Sequence, residues 1–109
     1  MNTETIKTTA ELFEMLTAAG SDHARALIAH AGDTTREYES ARERLARQLE
    51  FIRTQVDQAI GQMNAGQLPN SMGVLQGNGV ETDRLCGELA RSRQAAVASQ
   101  KLLTSLGIH

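Results

Sequence analysis

The sequence predicts an all-α fold, in which a long antiparallel helical hairpin carries two short N-terminal helices in a bundle-like arrangement. Capping patterns and glycines divide the chain into four helix-like segments. Apolar residues in the longest segment recur at heptad spacing, and no segment shows the alternation that is typical of strands. Fifteen alanines and three aromatic residues among 109 residues indicate helices around a thin core. We expect a single helical domain over residues 1–109.

Two short helices are predicted near the N-terminus. Thr8 and Glu11 form a capping box, in which each side chain can bond a free backbone N–H group at a helix start, so a helix is expected over about residues 9–19. Ser21 can cap a second helix over about residues 22–31. A glycine follows each of these segments and is expected to end it.

The third and longest helix is predicted over about residues 35–65. It begins at a second capping box, formed by Thr34 and Glu37. Its apolar residues repeat at the 3.5-residue spacing of a coiled coil, with Arg42 as the one exception. Tyr38, Leu45, Ile52 and Ala59 occupy the heptad d positions, and Leu49, Val56 and Met63 occupy the a positions. A stripe of this length needs another helix beside it.

The fourth helix is predicted over about residues 79–106 and returns antiparallel to the third. Asn78 and Glu81 repeat the capping pattern at its start. The segment 66–79, with four glycines and the only proline, is interpreted as the connection of the hairpin. Small residues in the middle of the fourth helix allow close packing, and Phe51 and Ile52 are expected to fill that space.

The small number of large apolar residues predicts self-association. Leu, Ile, Val and Phe together number 23 of 109 residues, which is little for a chain with so long a stripe. Small domains bury a modest fraction of their surface, and association with a second copy is a common remedy. We therefore expect a homodimer that completes the bundle along the stripe.

Composition excludes several classes of protein. The net charge of −2 gives no overall attraction to nucleic acid or anionic lipid. Cys86 is the only cysteine, so no disulfide can form within the chain. The N-terminus lacks the pattern of a signal peptide, and no apolar run reaches the length of a membrane span. The expectation is a soluble, cytoplasmic protein.

An uncharged region follows the charged part of the third helix. From Gln58 to Val80, 23 consecutive residues include no Asp, Glu, Lys, Arg or His. Interface cores are depleted in charge and enriched in methionine, so we consider four apolar residues here as candidates for partner binding: Leu68, Met72, Val74 and Leu75. The alternative is a connection that folds its apolar residues back onto the end of the hairpin.

Motifs for catalysis, metal ions or cofactors are not found. The glycines of segment 66–79 lack the lysine of a phosphate-binding loop. His23 and His30 are seven residues apart and could share a helix face, but neither zinc-protease nor di-iron patterns occur. Cys86 lies beside the apolar stripe of the fourth helix and is interpreted as a buried, inert thiol. We predict no catalytic, cofactor-binding or metal-binding residues.

The sequence therefore favours a small, non-catalytic protein that acts through protein–protein interaction, as an adaptor or an assembly module. The alternative is a DNA-binding regulator, because the two short helices over residues 8–31 have the outline of a helix-turn-helix. Its second helix offers one arginine, Arg25, and begins with an acid, Asp22. A recognition helix normally presents more groups that contact bases and phosphates.

Overall fold

The computed structural model of the chain describes residues 6–70 and 72–108, with Met72 described by its backbone alone. It contains three α-helices: α1 (Thr9–Ala18), α2 (Asp22–Asn64) and α3 (Met72–Ser105). No strand occurs in these residues. The molecule measures 67 × 27 × 20 Å, and the 43 residues of α2 span about 65 Å at 1.5 Å per residue. One helix therefore sets the length of an elongated molecule.

The prediction of an all-helical fold is confirmed, but the prediction of four helices is wrong. The segments 22–31 and 35–65 are one continuous helix, α2, and Gly32 lies inside it without a positive φ angle. The capping role expected of Thr34 is also wrong. Its hydroxyl lies within hydrogen-bond distance of the carbonyl of Ala31, at 3.0 Å, and of Ser99 Oγ of α3, at 3.1 Å. Thr34 is therefore buried against α3 inside a continuous helix, and it does not start a new helix as the local pattern indicates.

The last helix begins seven residues earlier than the predicted residue 79, since α3 starts at Met72. Asn78 sits inside this helix instead of capping it. Its side-chain amide donates to the carbonyl of Val74 at 2.7 Å, and its Oδ1 accepts from Gln48 of α2 at 2.7 Å. Contact with α2 thus stabilises the helical conformation at the start of α3, where three glycines would otherwise weaken the helix.

Two glycines end the long helices α2 and α3. Gly66 has a φ of 77°, and the amide of the residue after it bonds the carbonyl of Gln62 at 2.9 Å. Gly107 has a φ of 76°, and the amide of Ile108 bonds the carbonyl of Leu103 at 2.9 Å. Both ends are Schellman motifs, in which the left-handed glycine lets the chain satisfy the last free carbonyls. The second motif also places Ile108 against the core.

The core lies at one end of the hairpin, which we call the proximal half: α1, residues 22–41 of α2 and residues 92–105 of α3. Its centre is a cluster of buried apolar side chains from all three helices: Leu12, Ile28, Ala31 and Leu103. Polar contacts cross it as well, because Thr35 and Gln100 are buried and hydrogen-bonded at 2.8 Å. This half is a three-helix arrangement.

The remainder, which we call the distal half, consists of residues 42–64 of α2 and 72–91 of α3. The two helices run antiparallel, since Thr34 meets Ser99 in the proximal half and Gln48 meets Asn78 in the distal half. Among the described residues of this half, Ala59 and Leu85 are the fully buried apolar side chains. Two helices alone form this part of the molecule, and they cannot enclose a core between them.

Candidate interaction surface

The heptad stripe of α2 is divided between a covered set and an exposed set. The d positions are half-buried or buried within the hairpin: Leu45, Ile52 and Ala59. The a positions face solvent, with Leu49 50%, Val56 38% and Met63 62% exposed. Tyr38, at the first d position, is half-buried, and the Arg42 guanidinium lies 5.6 Å from the centre of its ring. The antiparallel helix α3 therefore covers only one side of the predicted stripe.

A fourth apolar residue extends this exposed set. Ile60 is 50% exposed and lies one turn from Val56 and from Met63, on the same side of α2. We call Leu49, Val56, Ile60 and Met63 the exposed stripe. The heptad pattern missed Ile60 because it occupies an e position. The spacing i, i+4 from Val56 was the signal that could have found it.

Charge is confined to one end of the exposed stripe. Arg53 approaches Glu50 at 3.9 Å on the outer surface of α2, in place of the pairing with Asp57 that an i, i+4 pattern would favour. After Asp57 the chain carries no charged residue until Glu81. Ile60 and Met63 therefore belong to a surface that is both apolar and uncharged.

We call residues 66–75, at the end of the hairpin, the tip. It contains the predicted partner-binding residues. Leu68 is 92% exposed in the connection, Val74 is 43% exposed on α3, and Leu75 is half-buried. The side chain of Met72 lies outside the described residues. Gln62 ties the connection back to α2, since it exchanges two hydrogen bonds of 3.0 Å with Asn70. The connection is thus held in place while Leu68 stays in solvent.

The two helices of the distal half are joined by a chain of opposite charges. Arg84 bonds Glu81 through Nε at 3.0 Å and bonds Glu88 at 2.6 Å, all on α3. The other carboxylate oxygen of Glu88, which is buried, lies 3.6 Å from a guanidinium nitrogen of Arg44 on α2. The hydrogen bond from Arg84 lowers the pKa of Glu81, and the same bond raises that of Arg84. Of these contacts, the one between Arg44 and Glu88 connects the two helices.

Residues considered for metal or thiol chemistry lie apart from one another. His23 and His30 are both exposed on α2, and no three His, Cys, Asp or Glu side chains in residues 6–70 and 72–108 are grouped as metal ligands would be. The expectation of a buried Cys86 is wrong, because its thiol is exposed while the neighbouring Leu85 is buried. Phe51 also differs from expectation, since it is exposed rather than packed in the hairpin.

The segment 8–31, considered for DNA binding, forms α1, a three-residue turn and the start of α2. Arg25, the arginine of the candidate recognition helix, donates from Nε to the carbonyl of Ala19 at 3.1 Å. It thereby bonds a free carbonyl at the end of α1. Ile28 and Ala31 are buried against α1. The exposed side of these turns carries Asp22 and the two histidines, which gives little positive charge for phosphate contacts.

A polar depression of about 270 Å³ lies where residues 6–8, which we call the N-terminal arm, cross α2. Two of its charged groups are engaged in the fold. Glu39 accepts hydrogen bonds from the amide and the hydroxyl of Thr9, at 3.1 and 2.7 Å, and so holds the start of α1. Arg42 lies over Tyr38. These groups stabilise the proximal half, and their arrangement explains how α1 is fixed to α2.

Comparisons with protein-family models, with curated proteins and with solved structures each find no match to this chain. None of the three helices, over the residues that the structure describes, has a stretch long and apolar enough to cross a bilayer.

Proposed function

We propose that the chain is a non-catalytic helical interaction module that associates with a second copy of itself through the exposed stripe. The uncharged tip of the hairpin is then free to contact a protein partner. The observation that carries this proposal is the division of the heptad: the d positions are covered within one hairpin, while Leu49, Val56 and Met63 remain in solvent. Sequences with apolar residues at both a and d positions normally bury both.

The shape of the distal half supports a second copy as the partner of the stripe. An apolar helix face must be covered by another element, and two helices expose their sides however well they pack together. Two distal halves placed with their exposed stripes together would form a four-helix bundle, a stable and common arrangement. The stripe extends over about four turns of α2, from Leu49 to Met63, with Arg53 between Leu49 and Val56, and this length suits a helix-to-helix contact.

Charge supports the same arrangement. The part of the stripe around Ile60 and Met63 has no charged residue beyond Asp57 on its side towards the tip, since residues 58–80 are uncharged. Two such surfaces can approach without desolvating ionised groups, which is costly at an interface. An identical pair of surfaces also avoids like-charge repulsion there.

Association is tested by light scattering coupled to size-exclusion chromatography, over a dilution series of the full chain. The proposal predicts a dimer that dissociates on dilution and that Leu49→Asp converts to a folded monomer, because Leu49 is half-exposed in the single chain. Phe51→Asp is the matched control, since Phe51 is similarly exposed but lies off the stripe. A wild-type chain that stays monomeric at every concentration would refute self-association.

Ile52→Asp distinguishes the interface from the hairpin. Ile52 is half-buried within the single chain, so this change introduces a charge into the hairpin itself. We expect loss of helical structure along with loss of the dimer, whereas Leu49→Asp should affect association alone. If the two variants behave alike, the exposed stripe has no role separate from folding.

Partner binding by the tip is tested by affinity capture from the native cell. Leu68→Ser with Val74→Ser should leave helix content unchanged and abolish retention of any specific partner, because both side chains are exposed. Val80→Ser is the matched control, because Val80 is also an exposed valine in the first part of α3 but lies on another side of this helix. Retention of the same proteins by the double variant would exclude the tip from binding.

A further inference from the structure

A cavity lies at the opposite end of the molecule from the tip, in the proximal half. Its volume is about 340 Å³, which falls within the range of small-molecule pockets. The N-terminal arm, α1 and the end of α3 each contribute to its wall. Apolar side chains make up most of the lining: Ile6, Met15, Val97, Leu103 and Ile108.

The charged residues among the described lining of this cavity are lysines. Lys7 and Lys101 both line it, and none of its described lining residues is acidic. Lys101 comes from α3 and Lys7 from the N-terminal arm, so positive charge is contributed from two separate elements. These are also the only two lysines of the chain. A pocket with an apolar wall and cationic groups is complementary to a ligand with an apolar body and an anionic head.

The ammonium group of Lys7 has a weak partner in the single chain. Its Nζ lies 3.4 Å from the thioether sulfur of Met15, and a thioether is a poor hydrogen-bond acceptor. A carboxylate would be a much stronger partner, since hydrogen bonds between ionised groups are about twice as strong as neutral ones. The ammonium group of Lys7 could therefore bind an anion more strongly than it binds Met15, at the edge of an apolar cavity.

The arm that carries Lys7 is held firmly in position. The amide of Lys7 donates to Gln100 Oε1 at 2.6 Å, and Gln100 Nε2 donates to the carbonyl of Lys7 at 3.3 Å and to Thr35 Oγ1 at 2.8 Å. Because Gln100 is buried, these bonds fix the backbone on both sides of the lysine side chain. A site whose groups are held before binding loses less entropy when a ligand enters.

We propose that this cavity binds a single-chain aliphatic carboxylate of medium length, with the carboxylate at Lys7 and the hydrocarbon chain against Leu103, Val97 and Ile108. The volume is at the small end of the range for ligand pockets, so one alkyl chain fits the site and a two-chain lipid does not. This activity is separate from association through the exposed stripe, because the cavity and the stripe lie in different halves of the molecule.

The test is calorimetric titration of the full chain with decanoate at submicellar concentration, compared with the neutral decanol. One decanoate should bind per chain, and more tightly than decanol. Lys7→Met, which removes the charge but keeps an unbranched side chain, should weaken decanoate binding by at least about tenfold. Lys7→Arg, which keeps the positive charge, should bind decanoate as tightly as the wild-type chain. Arg47→Met is the matched control, because it removes a positive charge that pairs with Glu43 on the distal half.

Two further measurements locate the ligand. Val97→Trp should fill the cavity and abolish binding while circular dichroism shows unchanged helix content, because Val97 lies on the wall. The methyl signal of Met15 should shift when decanoate is added to the wild-type chain. Absence of binding at millimolar decanoate would overturn the proposal. Equal binding by wild type, Lys7→Met and Val97→Trp would overturn it as well, since it would indicate adsorption elsewhere.

Discussion

Gln100 of α3 donates a hydrogen bond to Thr35 of α2 over 2.8 Å, in an interior where these side chains are 9% and 1% exposed. The same amide group bonds the backbone of Lys7 on both its donor and its acceptor side. A single glutamine therefore connects α2, α3 and the N-terminal arm, and it fixes the register of the hairpin in the proximal half.

Gln100→Leu should lower the free energy of unfolding by about 1–3 kcal/mol, because it leaves a part-buried amide and a buried hydroxyl without a partner. Trypsin should also cleave after Lys7 faster, since the arm loses its attachment. Urea denaturation followed by circular dichroism measures the first effect. Gln94→Leu is the control, because Gln94 is exposed on the same helix. Equal stability of the two variants would show that the Gln100 bonds contribute nothing.

Gly32→Ala should stabilise the chain by about 0.5–1 kcal/mol, since glycine inside a helix costs this much relative to alanine. Gly32 lies within α2, and a Cβ atom added there meets nothing within 4 Å. The midpoint of thermal unfolding is the measurement. A helix that ended at Gly32, as local sequence indicates, would instead be destabilised by the change, so the sign of the effect decides between one helix and two.

Gly66→Ala should have the opposite effect. Gly66 has a φ of 77°, a left-handed conformation that costs other residues about 1–2 kcal/mol. The change should lower stability by that amount even though the site is sterically open. The two glycine variants together form a matched pair, because the substitution is identical and only the backbone conformation differs.

The bond between Arg84 and Glu81 predicts a dependence on pH. The fold lowers the pKa of Glu81 from its ordinary value of 4.5. The ion pair is therefore fully stabilising above pH 4.5, and this contribution is lost as the pH falls through the lowered pKa. The effect is small because both side chains are exposed. Urea midpoints of wild type and Glu81→Gln should differ at pH 7 and converge as the pH falls below the lowered pKa of Glu81.

Arg84→Gln provides the control for this pH dependence. In that background the guanidinium is absent, so Glu81→Gln should no longer change how the urea midpoint varies with pH. A persistent difference between the two chains would mean that another group lowers the pKa of Glu81.

Local sequence patterns predicted helix ends well where no tertiary contact competes with them. Ser21 accepts the expected hydrogen bond from the amide of Ala24 at 3.2 Å, and Thr8 accepts from Glu11 at 3.2 Å. Thr34 and Asn78 belong to equally good capping patterns, yet both bond across the hairpin to Ser99 and Gln48. Their partners are 65 and 30 residues away, so no local pattern could distinguish them from true caps.

The candidate sites also depend on tertiary contacts that local sequence patterns do not reveal. Heptad spacing identified the stripe of α2, but which half of it α3 covers depends on the rotation of one helix against the other. The cavity of the proximal half joins Lys7 to Gln100, 93 residues apart, and nothing in the sequence brings them together. Ile6 and Ile108 lie outside the segments with helical periodicity, so the sequence could not predict that they line the cavity.

The beginning of α3 should open more readily than the rest of the helix. Residues 73, 77 and 79 are glycines, and each costs roughly 1 kcal/mol relative to alanine in a helix interior. Amide hydrogen exchange resolved by residue should therefore be faster over 73–80 than over 85–103, where Leu85, Ala96 and Leu103 are buried.

Gly73→Ala combined with Gly79→Ala tests the cause. An added Cβ meets nothing within 4 Å at either position, so the double variant should slow exchange over 73–80 and leave 85–103 unchanged. If the tip binds its partner by adjusting this first part of α3, the same variant should also weaken capture while the fold becomes more stable. Protection over 73–80 equal to that of the buried turns would show instead that contact with Gln48 outweighs the glycines, and that the tip is rigid.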